Sequence, residues 1–282
     1  MINFEELVTK NEIPMFVPEG IENWQDRFEK ARELHHWINR ERWKQYNTDT
    51  RWVRWRQADI PELTWADRHE GDVFSWDRDY YRIDRNDPEI VVRDKIYLPQ
   101  FFLEPEKYEI IKDNETLLYW YNFCSWAMPM AEKYADVFES NNNKKFKKMM
   151  IIRYWCPDSE NDRNYSLTEQ REFCSEKFGV DHYDETYGSL HLGETDQELQ
   201  VERPDGSENW IPVDLTGNDC LCIVGEEGGE IREDIGGTNH RLIHNKESQP
   251  DYERYSLILD VDPRWLLNPD TSRSVGGGLK ML

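Results

Sequence analysis

His182-Tyr183-Asp184 sets two side chains with metal-binding lone pairs two positions apart. On an extended segment alternate side chains face the same way, so one short stretch of chain can offer both to a single ion. A third donor must come from a distant segment, and His240 opens an apolar run far downstream. Two imidazoles and one carboxylate on one face of an octahedral ion leave three positions open. Fe(II) suits that arrangement because it can hold a bidentate ligand and O2 side by side. Zinc tolerates the same donors but has no redox chemistry and favours four ligands. Taken alone, His-x-Asp is a weak signal, since such pairs commonly serve as surface hydrogen-bond partners.

Arg254-Tyr255-Ser256 adds weight. Arg254 and Ser256 alternate onto one strand face, and a guanidinium fork beside a hydroxyl is a natural anchor for the far carboxylate of 2-oxoglutarate. A surface salt bridge is the other use of Arg254. The apolar run that follows, LILDV, reads as buried and weighs against it. The remaining histidines have less context. His244 could reach the same strand face as His240 but is more simply a turn residue. His191 lies too near His182 in sequence to replace a ligand from a distant strand. His35, His36 and His69 read as structural. Cys220 and Cys222 alternate on one strand and read as packed core.

These residues need a scaffold that brings segments around 182, 240 and 254 together. From Met149 onward the sequence gives short apolar runs divided by turn chemistry: Met149–Trp155, Tyr187–Leu192, Leu199–Glu202, Trp210–Val213, Cys220–Val224, His240–Ile243 and Tyr255–Val261. Short strands at this spacing predict an antiparallel sandwich or barrel. The first half reads mainly as helix. Ile21, Trp24, Phe28, Ala31, Leu34 and Ile38 recur at steps of three and four, and a second helix is predicted over Glu115–Phe138. Residues 48–95 have no clean period and read as irregular, apart from a short strand at Glu89–Val92. Residues 140–148 read as a solvated polar connection.

Composition narrows the partners. With 35 Lys plus Arg against 57 Asp plus Glu, the formal charge is −22. Such a surface repels phosphate backbones and anionic membranes, so neither nucleic acid nor membrane is expected as a partner. Five Cys, without a Cys-x-x-Cys pair, indicate neither a disulfide framework nor a zinc ribbon. The N-terminus lacks the basic-then-apolar pattern of a signal peptide, and a cytoplasmic location is expected. Aromatics make up 13% of the chain, enough to wall a pocket as well as fill a core.

Residues from about Met149 to Pro263 resemble the C-terminal half of the isopenicillin N synthase-like Fe(II)/2-oxoglutarate oxygenases. The segments IIRYWCPD, HYDETYGSL, ELQVERPDGSENWIPV, GNDCLCIVGEE, TNHRLIH and RYSLILDVDP follow that family's order. The resemblance implies a mainly β fold, a double-stranded β-helix (jelly-roll) core braced by helices. In one oxygenase domain, residues 1–148 would form a mainly helical part, 149–265 the jelly roll and 266–282 a tail. It further implies Fe(II) on His182, Asp184 and His240, and 2-oxoglutarate on Arg254 and Ser256, with O2 as oxidant. The reaction implied is oxidation of an unactivated C–H of a small polar metabolite, an amino acid or a natural-product precursor in secondary metabolism. Hydroxylation, desaturation and oxidative cyclisation are all compatible with it, with succinate and CO2 released. Asp184 argues against halogenation, which needs that coordination position for halide.

Three departures bear on the site. Glu185 and Thr186 are extra residues before Tyr187-Gly188. Several more lie between His240 and Arg254. Arg153-Tyr154-Trp155 stands where many relatives carry Asn-x-Tyr. Arg153 therefore either faces a carboxylate of substrate or cosubstrate, or pairs with a local acid; Tyr187 is a second candidate substrate contact. Residues 158–178 are a candidate lid. Two other readings stay open: an oxidase that needs no 2-oxoglutarate and holds its substrate's carboxylate on Arg254 and Ser256, and a metal-free jelly-roll binding protein.

Overall fold

The computed structural model describes residues 2–9, 12–45, 75–82, 90–99, 108, 112–138, 147–156, 176–177, 179, 181–203, 209–232, 234–243 and 252–261. Its strands are β1 (Met15–Phe16), β2 (Ser75–Arg82), β3 (Ile90–Pro99), β4 (Lys147–Trp155), β5 (Glu176–Lys177), β6 (Gly188–Glu194), β7 (Leu199–Glu202), β8 (Trp210–Pro212), β9 (Cys220–Val224), β10 (His240–Leu242) and β11 (Glu253–Val261). Helices are α1 (Phe4–Thr9), α2 (Arg27–Gln45), α3 (Glu115–Ala135) and α4 (Glu226–Ile231), with a 3-10 turn at Ile21–Trp24. An eight-stranded sheet runs β1-β9-β6-β11-β4-β3-β2-β5, and a three-stranded sheet runs β10-β7-β8. All pairings are antiparallel except β2 with β5. The fold is the expected jelly roll.

Strands β4, β6, β9 and β11 of the large sheet are largely buried on both faces, which is why MMIIRYW reads as a continuous apolar run rather than an alternating one. One face, with Met149, Ile151, Leu190, Leu192, Tyr255, Leu257 and Leu259, packs against the helices. The other, with Val91, Ile152, Tyr154, Tyr252 and Ile258, lines the interior. Leu199, Val201, Val213, Leu215, Leu221 and Ile223 form a third cluster on the small-sheet side. Helix α3 buries Leu117, Trp120, Cys124, Ala127, Ala131 and Tyr134 at helical spacing, and begins where the Asn114 side chain accepts from the Leu117 amide at 3.1 Å. Such a cap contributes about 1 kcal/mol. Tyr134 anchors the far end by donating its hydroxyl to the Ile223 carbonyl at 2.7 Å.

One expectation is corrected. Residues 75–82 and 90–99, expected to be irregular within 48–95 apart from Glu89–Val92, form β2 and β3 and extend the jelly-roll sheet beyond β4. Among the described residues the part before residue 149 holds more helix than strand, but it also supplies these two long strands, which the sequence pattern did not show. The reason lies in β3 itself. Its interior face carries the half-buried Arg93 and Lys95, opposite Tyr154 and Ile152, while its other face buries Asp94 beside Ile96 and Leu98. With charge on both faces, no polar–apolar alternation survives for the sequence to display. The proposed lid, 158–178, lies outside the described residues except for β5, as do His69, His244, most of the 140–148 connection and the 266–282 tail.

Candidate metal centre

His182 and His240 meet across an isolated antiparallel bridge. Each amide donates to the other residue's carbonyl at 3.0 Å, so the two imidazoles are set side by side by the backbone itself, with ring centroids 4.4 Å apart. Asp184 follows two residues after His182, as the spacing predicts. Its Oδ1 lies 3.8 Å from Nε2 of His240 and 4.0 Å from Nε2 of His182. One donor atom from each of the three residues falls within 4.8 Å of the others, the only such cluster of His, Cys, Asp and Glu among the described residues.

The surroundings fix which atoms are offered. His240 Nδ1 lies 3.2 Å from the Thr238 carbonyl, which can only accept; Nδ1 therefore carries the hydrogen and Nε2 keeps its lone pair for a metal. Ser189 donates its hydroxyl to Asp184 Oδ2 at 3.3 Å, leaving Oδ1 toward the imidazoles. The Asp184 carbonyl also accepts the Glu226 amide at 2.8 Å, at the start of α4. The chain comes this close only because residue 225 is glycine: a Cβ there would stand 2.0 Å from the Thr186 carbonyl oxygen.

Electrostatics point the same way. Burial pushes His240 down to about 4, so its ring is neutral and able to ligate at neutral pH. Burial opposes the charge on Asp184, but His240, His191, His182 and Lys95 together hold its carboxyl below the usual range. His182 remains 52% exposed while His240 is 6% exposed, so the cluster sits at a mouth of the barrel rather than in a sealed core. A donor set of two neutral imidazoles and one carboxylate, open on one side, fits Fe(II).

Arg254 and Ser256 also lie in the interior, on the face of β11 expected for them, but they already hold a carboxylate. Arg254 Nη2 donates to Glu194 Oε2, and Ser256 donates to Glu194 Oε1 at 3.2 Å. Arg254 Nε is 3.9 Å from Glu198, whose Oε2 accepts the hydroxyl of Tyr252. The Arg254 and Glu194 side chains are 0% and 2% exposed. Burial works against both charges and their mutual attraction prevails, raising the arginine above its ordinary value and lowering the carboxyl. Nε and Nη1 of Arg254 have no hydrogen-bond partner among the described residues. Leaving such donors unmade costs about 1–3 kcal/mol each. The pair thus fits a carboxylate, as the cosubstrate expectation requires, and uses only part of its donor capacity on the one it has.

Glu194 had no role in the sequence reading. His191 and Glu194 would face opposite ways on a regular strand. Here β6 carries one extra residue against β11, since Ser256 pairs with Glu194 but Ile258 pairs with His191. Gly193 in this bulge has φ +139, a conformation that strongly favours glycine. Arg27 of α2 covers the bulge, donating to the Leu192 carbonyl at 3.2 Å and to the Gly217 carbonyl. His191 and Glu194 therefore both face inward, 3.7 Å apart, with the His191 ring edge-on to His240. An isolated glycine inside a strand pattern was the available signal.

The other candidates are placed elsewhere. Arg153 lies on the helix-side face of β4, bonded to Glu253 at 2.7 Å and stacked over Trp155. That is the local acid pair, away from the His182–Asp184–His240 cluster. Tyr187 packs toward Phe138 beneath the helices. His35 is buried with Nε2 3.0 Å from the Ile151 carbonyl, a structural role as expected.

No family model matches the sequence, and no curated protein matches it. Solved structures do. A full-length Neurospora crassa protein, solved in complex with alpha-KG and 5-formyluracil, is similar at 13% identity and TM-score 0.50, covering 92% of this chain and 77% of that one. The dioxygenase for auxin oxidation in rice gives 14% identity and TM-score 0.49, over 92% of this chain and 76% of the other. The dioxygenase for auxin oxidation 1 from Arabidopsis thaliana, in its 2-oxoglutarate complex, gives 11% and 0.49, over 93% and 89%. At these identities the likeness is one of fold.

Proposed function

We propose that this protein is a non-haem Fe(II) oxygenase that uses 2-oxoglutarate and O2, with iron on His182, Asp184 and His240. The observation that carries the reading is the convergence of these three donors from two separate segments, each oriented by a hydrogen bond or bridge that leaves a lone pair facing a common point. The likeness in fold to the Neurospora crassa protein, solved with alpha-KG, supports it. When bound, Fe(II) with 2-oxoglutarate supplies the O2 activation needed to attack an unactivated C–H.

The chain's own groups do the positioning. Thr238 fixes the His240 tautomer, and Ser189 fixes the rotation of the Asp184 carboxylate. Ile152, Tyr154 and Ile258 give the interior wall an apolar patch. Arg254 and Ser256 are the proposed anchor for the far carboxylate of the cosubstrate. Arg93 and Lys95 share the interior face with Tyr154 and Ile152, and the proposed substrate is a small polar metabolite. Hydroxylation, desaturation and ring closure share this machinery and differ in where the substrate carbon is held.

Anaerobic titration of the metal-free protein with Fe(II), then with 2-oxoglutarate, tests the reading. One equivalent of iron and a weak visible charge-transfer band of the 2-oxo-acid chelate are expected. Failure to bind iron would overturn the assignment; iron without the band would leave an oxidase that does not take this cosubstrate.

A further inference from the structure

Arg254 sits in a crowded place. It is fully buried, and the carboxylates of Glu194 and Glu198 both lie within ion-pair reach of it. Glu194 divides its two oxygens between Arg254 and Ser256 instead of lying fork-to-fork on the guanidinium, and Nε and Nη1 of Arg254 stay unpartnered among the described residues. An Arg–carboxylate pair is strongest when two parallel N–H donors meet two oxygens. Glu194 is therefore an imperfect occupant of a seat shaped for a carboxylate. It is there because of a backbone device: without the extra residue at Gly193, Glu194 would face the helices. A ligand carboxylate entering beside both Glu194 and Glu198 would put three negative groups on one buried cation, which like-charge repulsion opposes.

We propose that Glu194 is an internal competitor: its carboxylate fills the Arg254–Ser256 seat in the resting protein, and a carboxylate ligand binds there only by displacing it. This rests on reading Arg254 and Ser256 as the cosubstrate's anchor, and it goes further by making cosubstrate capture conditional on release of Glu194. The seat is then self-filled when ligand is scarce, and the chain holds dicarboxylates more weakly than the donors alone would allow.

Glutarate tests this on the metal-free protein, because it carries the two carboxylates of 2-oxoglutarate without the 2-oxo group that would chelate iron. Calorimetry and thermal-shift titration of wild type, Glu194→Gln and Glu194→Ala would be compared. The expected result is glutarate binding about tenfold or more tighter in the variants, the scale of removing one competing charge from the guanidinium. Adding Arg254→Leu to Glu194→Gln should abolish the gain. Glu194→Gln keeps the volume, and its amide oxygen can accept from Arg254 while its NH2 donates to the Ser256 hydroxyl, so it preserves the fold if Glu194→Ala does not. Wild type binding glutarate as tightly as Glu194→Gln would overturn the proposal, as would no binding by a folded Glu194→Gln. Neither result touches iron binding, which is measured separately and decides the oxygenase reading on its own.

Discussion

The two ends of the barrel interior handle charge in opposite ways. At the mouth, His182, Asp184 and His240 turn their lone pairs toward one another, and what would reconcile them is a cation that the chain itself does not contribute. Deeper in, Arg254 meets the reverse situation: the chain brings its own counter-ion, Glu194, and seals the pair from water. One end lacks a counter-ion and the other carries its own. The lesson concerns how each should respond to mutation. Removing a donor from the mouth takes away affinity for something absent from the chain, whereas removing a partner from the deep pair strands a charge in an apolar wall.

The largest effect expected is therefore on stability. Arg254→Leu leaves the Glu194 carboxylate buried without its cation and should cost about 3–5 kcal/mol, read as a lowered denaturation midpoint of the metal-free protein. The double change Glu194→Leu with Arg254→Leu should recover most of that loss. A double variant no more stable than Arg254→Leu would break the contrast. At the mouth, His240→Ala should lower iron affinity by about 100-fold or more, beyond the 10- to 100-fold that lost outer-shell support usually costs, with little change in metal-free stability. Iron retained at full stoichiometry in that variant would refute the ligand assignment. Between the two ends, Gly193→Ala imposes a side chain on φ +139 and puts its Cβ 2.9 Å from the Arg27 guanidinium. A loss of about 1–3 kcal/mol is expected, checked by urea unfolding.

Smaller effects sharpen the picture. Ser189→Ala frees Asp184 Oδ2 and should weaken iron about tenfold while leaving unfolding unchanged, which competitive chelator titration would resolve. Acid should loosen the protein from the helix side too. Burial lowers His35 to about 3 from its ordinary 6.5. Between those values the unfolded chain binds a proton that the folded chain refuses, so stability rises with pH there. The contribution is full above about 6.5 and is lost as pH falls toward 3. His35→Leu should flatten that part of the midpoint-versus-pH curve, and an unchanged slope would show that other groups set it.

Much of this was readable in the chain. The strands from Met149 onward and the shared strand face of Arg254 and Ser256 follow from alternation and turn chemistry, which survive where one residue type dominates a face, while the grouping of His182, Asp184 and His240 rested on the family resemblance. Three things did not survive. Strands β2 and β3 were hidden because β3 carries charge on both faces. The side taken by Arg153 could not be assigned, since both faces of β4 are buried and MMIIRYW contains no polar face to orient it. Glu194 was missed because one inserted residue reverses the parity of everything after it, and parity is all that a strand pattern encodes.

The reciprocal bridge between His182 and His240 has a consequence for how the protein comes into being. Two of the three proposed ligands meet only when segments far apart in the chain have closed on each other, a contact of high sequence separation that pays its loop entropy late. A nascent or partly folded chain would offer iron just the weak local pair His182 and Asp184. On the proposed assignment, metal capture would report a finished barrel, and iron, by binding only the closed form, would stabilise the very topology that created its site.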